Sequence, residues 1–94
     1  TVPFMERDIA LIHSRKHSSL EIINLIKKSG RPLLEKVELI DRYEGSSIPE
    51  YSVSQAFRIK YRDSKKTLVE EDINPIHEKI RFALTEKFDA DLRS

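Results

Sequence analysis

The sequence predicts an α+β domain in which one antiparallel sheet carries two helices on one face. Three observations predict it. Strand-type and helix-type apolar periodicities follow one another in the order strand–helix–strand–strand–helix–strand. Two capping boxes, Ser18 with Glu21 and Thr67 with Glu70, mark two helix starts. Between two strand-like runs lies GSSIPEYS, whose glycine, serines and proline have the chemistry of a hairpin loop.

Residues 7–13, RDIALIH, alternate in part and read as the first strand. After the polar turn SRKHS, a helix starts at Ser18 and takes its apolar side from Leu20, Ile22, Ile23, Leu25 and Ile26. Ser29-Gly30 ends it before Pro32, with Gly30 expected as a left-handed cap. The second strand covers about 35–44 and the third about 52–62, with Val53, Phe57, Ile59 and Tyr61 on one face. Ser54, Ala56, Arg58, Lys60 and Arg62 occupy the other. The second helix is expected from Thr67 to Phe88 with a stripe of Ile73, Ile76/His77, Ile80, Leu84 and Phe88. Pro75 inside it removes one backbone hydrogen bond and implies a kink or a later true start. Residues 89–94 supply a short edge strand. This order is the ferredoxin-like βαββαβ pattern.

The pattern has a functional consequence, because the helices leave the opposite sheet face open. Ala10, Ser54, Ala56 and Arg58 belong to the less apolar sets of their strands, and Asp41 and Tyr43 share a face of the second strand. Strict alternation places Val37 and Leu39 on that same face. A bulge between Leu39 and Asp41 would reset the register, and the sequence leaves both arrangements open.

Composition narrows the function classes. The chain of 94 residues makes a single domain, 1–94. It begins at Thr1 without an initiator Met, which suggests a fragment of a longer chain. It has no cysteine, so thiolate catalysis, disulfide frameworks and Cys-based zinc sites are excluded. No apolar run is long enough to span a membrane. Net charge is +1, from 17 Lys and Arg against 16 Asp and Glu, so nucleic-acid binding would have to come from local patches. His13, His17 and His77 are scattered and lack metal-ligand spacing. The chain has two glycines, no phosphate-cradling loop and no nucleophile elbow. Glu70, Glu71 and Asp72 suit the positive end of a helix dipole without any catalytic role. No catalytic residue is assigned.

"ERDIALI", "LLEKVELIDRYEG", "IPE", "SQAFRIKYRD" and "KTLVEEDINPIHEKI", in this order and spacing, resemble one family over almost the whole chain. It is the ferredoxin-fold anticodon-binding domain at the C-terminus of the phenylalanyl-tRNA synthetase β-subunit, and the ending Leu92-Arg93-Ser94 suits that terminus. The resemblance implies an anticodon-binding module for tRNA(Phe), itself non-catalytic, in a cytoplasmic ligase. ATP and Mg2+ would be used by other domains, and the remainder of the β-subunit and the α-subunit would be partners. It also implies site residues. An aromatic at Tyr43 stacks on the first anticodon base, a guanine; Asp41 accepts from that guanine's N–H groups; Ala10 and Ser54 line the same pocket. Arg58 and Lys60 are candidate phosphate contacts. Lys66 stands where the family usually has Arg, and Gln55 where Leu is commoner. The alternative from another class is a non-catalytic regulatory or protein-docking ferredoxin-like module. An acylphosphatase-like hydrolase ranks last, because SRKHS lacks glycines for an anion cradle.

Overall fold

A computed structural model describes residues 3–93. The chain runs β1 (Met5–Ser14), α1 (Ser19–Gly30), β2 (Leu34–Tyr43), β3 (Ser52–Tyr61), α2 (Glu70–Phe88) and β4 (Asp91–Leu92). The strands form one sheet in the order β2-β3-β1-β4, with every neighbouring pair antiparallel. This is the predicted ferredoxin-like architecture.

Alternation along β3 divides the sheet into two faces. Val53, Gln55, Phe57, Ile59 and Tyr61 are buried, and the residues between them are half-buried. Phe57, Ile59 and Tyr61 join Ile9 and Leu11 of β1, Ile22 and Ile26 of α1, and Ile73, Ile80, Leu84 and Phe88 of α2 in one core. Both helices therefore cover one face, and burial of their apolar stripes stabilises the stack. Leu20, expected in the α1 stripe, instead points to solvent. A strict 3.6-residue stripe through Ile22 and Ile26 leaves it on the outer side.

The α1 start is as predicted. The Ser18 hydroxyl accepts from the Glu21 N–H at 3.1 Å, and the Glu21 carboxylate accepts from the Ser18 N–H at 2.8 Å. The α2 start differs. Thr67 does not cap it; the helix begins at Glu70, and the Asp72 carboxylate accepts from the Val69 N–H at 3.0 Å. Valine has no side-chain acceptor, so only half of a capping box forms. Pro75 lies within the helix, past its first turn.

Gly30 also differs from expectation. It lies within α1 with φ outside the positive range, and the chain turns afterwards at a cis Arg31–Pro32 bond. Glycine is required here by close approach, because a Cβ would overlap Leu34. The left-handed cap occurs instead at Asp89, after α2, with φ 52° and its N–H donated to the Thr85 carbonyl.

Candidate nucleic-acid interface

The register of β2 builds the candidate surface. Leu39 pairs with Phe57, and the next pairs are Asp41 with Ala56 and Tyr43 with Ser54. Two steps on β2 thus match one step on β3, which makes a β-bulge at Ile40. The bulge reverses the facing of everything after it. Leu39 shares the helix-covered face with Phe57, whereas Asp41 and Tyr43 stand on the open face. The choice between the two registers is thereby resolved in favour of the bulge.

Across β3, Ala56 pairs with Ala10 and Ser54 with Ile12. Ala10, Asp41, Tyr43 and Ser54 consequently fall on one face, at the end of the sheet next to the β2–β3 loop. Two alanines side by side leave a shallow floor, with Asp41 and Tyr43 along one edge. Tyr43 is 45% exposed, and Asp41 is exposed as well. Among the described residues the Asp41 carboxylate has no hydrogen bond or ion pair, since neighbouring Arg42 binds Glu44 at 2.6 Å. A simple Asp41–Arg42 ion pair is therefore absent.

The tyrosine ring is placed by the loop. Its hydroxyl accepts from the Ser47 hydroxyl at 3.3 Å, and a Cβ on Gly45 would overlap its oxygen and Cζ. Such a surface offers the chemistry of single-strand recognition: an aromatic for stacking, and a free acceptor for the N–H edge of a base.

Arg58 and Lys60 lie on the same face, but toward its other end. Arg58 makes a two-pronged pair with Asp8, Nε to Oδ1 at 3.0 Å and a terminal nitrogen to Oδ2 at 3.2 Å. Lys60 sits 3.6 Å from Glu6 and 3.4 Å from Glu38. Two cations thus face three carboxylates in cross-strand pairs. Exposed pairs of this kind contribute about 0–1 kcal/mol each and exchange readily.

Ala56, Ile12 and Gly45 belong to the surface, although sequence reasoning did not select them as site residues. Ala56 was findable as the β3 neighbour of Ser54 on the less apolar set; the roles of Ile12 and Gly45 depend on register and loop geometry. Among the described residues no group of three or more His, Cys, Asp or Glu is placed to hold a metal ion, and no helix is long and apolar enough to cross a membrane.

Comparison with known proteins identifies the family of the chain. The model of the ferredoxin-fold anticodon binding domain matches residues 1–93. The chain belongs to this family. Relatives of this anticodon-binding domain include the phenylalanine–tRNA ligase β subunit of Prochlorococcus marinus strain NATL2A, 81% identical over the whole chain. The β subunit of Synechococcus sp. strain CC9605 is 50% identical, and that of Trichormus variabilis strain ATCC 29413 / PCC 7937 is 47% identical, both again over the whole chain. The chain spans only 11–12% of the length of these relatives.

Proposed function

We propose that this anticodon-binding domain is the part of a phenylalanine–tRNA ligase β subunit that reads the anticodon of tRNA(Phe). The observation that carries the reading is the bulge at Ile40, which turns Asp41 and Tyr43 onto the open face beside Ala10, Ala56 and Ser54. In this reading an unstacked guanine, the first anticodon base, lies on the alanine floor. Tyr43 stacks on its ring, the Asp41 carboxylate accepts from its N–H edge, and Ser54 and Ala10 complete the pocket wall. Stacking supplies affinity for any base, and the carboxylate supplies the preference for guanine, because an acceptor-only group is repelled by an acceptor edge.

Charging of the tRNA with phenylalanine, with its ATP and Mg2+, is assigned to other parts of the ligase, in the cytoplasm, with the rest of the β subunit and the α subunit as partners. The domain then acts by positioning: binding at the anticodon holds the acceptor end of the same tRNA for chemistry elsewhere. The test is the affinity of the intact ligase for tRNA(Phe) and for tRNA(Phe) with the first anticodon base replaced. The reading expects the guanine form to bind most tightly. Equal affinity for all four bases would contradict it.

A further inference from the structure

The cross-strand pairs carry the open face onto β4. Tyr43 pairs with Ser54, Ser54 with Ile12, and Ile12 with Asp91, so one row crosses all four strands. The neighbouring row runs from Asp41 through Ala56 to Ala10. It too reaches the last strand, because the Arg93 N–H donates to the Ala10 carbonyl at 2.7 Å. The ladder thus runs one residue past β4 and sets Arg93 beside Ala10.

Alternation assigns the faces of this strand. Leu92 packs against the core, on the helix-covered side. Asp91 and Arg93 flank it in sequence and lie on the open face, both exposed, with a guanidinium nitrogen 3.5 Å from the Asp91 carboxylate. The alanine floor is therefore bordered by Asp41 and Tyr43 on β2 and by Asp91 and Arg93 at β4. Three strand spacings, about 14 Å, separate the two borders. Ala56 and Ala10 end at Cβ, so neither stands between Arg93 and a base lying on them.

Arg93 is also lightly held. Among the described residues its guanidinium has one partner, Asp91, and both side chains are more than half exposed. An exposed pair of this kind exchanges readily for another acceptor. Arg58, by contrast, makes two bonds to Asp8, and Lys60 lies between Glu6 and Glu38. The orientation of the base points the same way. A guanine that offers its N–H edge to Asp41 turns its sugar and phosphate away from β2, across the floor toward β1 and β4.

We infer that Arg93 is a further RNA contact of this surface, its guanidinium taking a backbone phosphate on the β4 side of the floor; the inference rests on the anticodon-binding reading. A planar guanidinium meets two phosphate oxygens at once. The contact adds affinity and fixes the lie of the strand, and it carries no base preference.

The test uses the intact ligase. Kd is measured against salt concentration for tRNA(Phe) and for the form with the first anticodon base replaced, in Arg93→Gln, Arg93→Lys and Tyr43→Ala, with a thermal melt of each. Arg93→Gln is expected to weaken both tRNAs alike, by about 3- to 10-fold, a charged hydrogen bond less the ion pair given up. Its plot of log Kd against log salt should flatten by about 0.7, the value for one phosphate of a single strand. Arg93→Lys keeps the charge, so its salt dependence should match that of the unaltered ligase while part of the affinity returns. Unchanged affinity and salt dependence in Arg93→Gln, with weakened binding in Tyr43→Ala, overturn the contact and leave the anticodon reading standing. Unchanged binding in both variants overturns the two together. A loss confined to the guanine form assigns Arg93 to a base edge and overturns the phosphate contact. Weaker binding at an unaltered salt dependence, with a lower melting temperature, marks a structural role and overturns it as well.

Discussion

The Tyr43 hydroxyl occupies the space that a side chain on Gly45 would need. The loop thus sets where the ring lies. A Gly45→Ala substitution meets only the far end of that side chain, so the ring moves and the backbone stays. The melting temperature should change little, and tRNA affinity of the intact ligase should fall toward that of Tyr43→Ala. A large loss of stability, or unaltered affinity, would show that Gly45 does not position the ring.

Gln55 carries a second expectation. It is buried on the helix-facing side, with its amide 2.7 Å from His13 Nε2 and 2.6 Å from the Ser19 hydroxyl. His13 Nδ1 lies 2.9 Å from the Ser14 carbonyl, which only accepts, so Nδ1 carries a proton. The Gln55 amide oxygen faces His13 Nε2, and the Gln55 NH2 group donates to the Ser19 hydroxyl. Gln55→Leu, toward the commoner residue, should destabilise the domain by about 1–3 kcal/mol by stranding buried His13. Urea unfolding that shows equal or greater stability would refute the network.

His77 predicts an acid-sensitive fold. It is buried in the α2 stripe with Nδ1 3.3 Å from the Tyr61 hydroxyl. Burial first, then the charges of Arg7 and Arg81, lower its pKa to about 4, against a small opposing effect of Glu78. Burial likewise pushes the Tyr61 hydroxyl up to about 12, so it remains a neutral donor. The folded pKa of His77 lies below the unfolded value near 6.5, so the unfolded chain binds more protons between the two. Stability should therefore fall as pH drops from about 6.5 to about 4, by about 1–3 kcal/mol from this group. His77→Gln, which retains a hydrogen-bonding side chain, should lose that part of the slope in urea unfolding across the interval. An identical slope in the variant would contradict the assignment.

Elements with strong local signals were legible in the sequence. The Ser18–Glu21 capping box, the β3 alternation and the α2 stripe all depend on residues a few positions apart, and each appears as expected. The departures depend on contacts remote in sequence or on competing caps. Gly30 is glycine because of Leu34, and Asp72 supplanted Glu70 as the residue whose carboxylate meets the helix N-terminus. The placing of Asp41 and Tyr43 hinged on one extra residue at Ile40, for which pattern alone offers two solutions. Arg58 and Lys60 were legible as open-face cations, but their partners Asp8, Glu6 and Glu38 come from neighbouring strands and required the register.

The most direct measurement is the ratio of affinities of the intact ligase for tRNA(Phe) with guanine and with another base at the first anticodon position, in the unaltered ligase and in Asp41→Asn. Asparagine keeps the size of the side chain and replaces one acceptor by a donor. If Asp41 reads the guanine edge, the ratio shrinks by roughly tenfold or more, the value of a hydrogen bond to a charged group, while the melting temperature holds because Asp41 is exposed and has no partner among the described residues. An unchanged ratio, with or without a change in stability, would contradict the account.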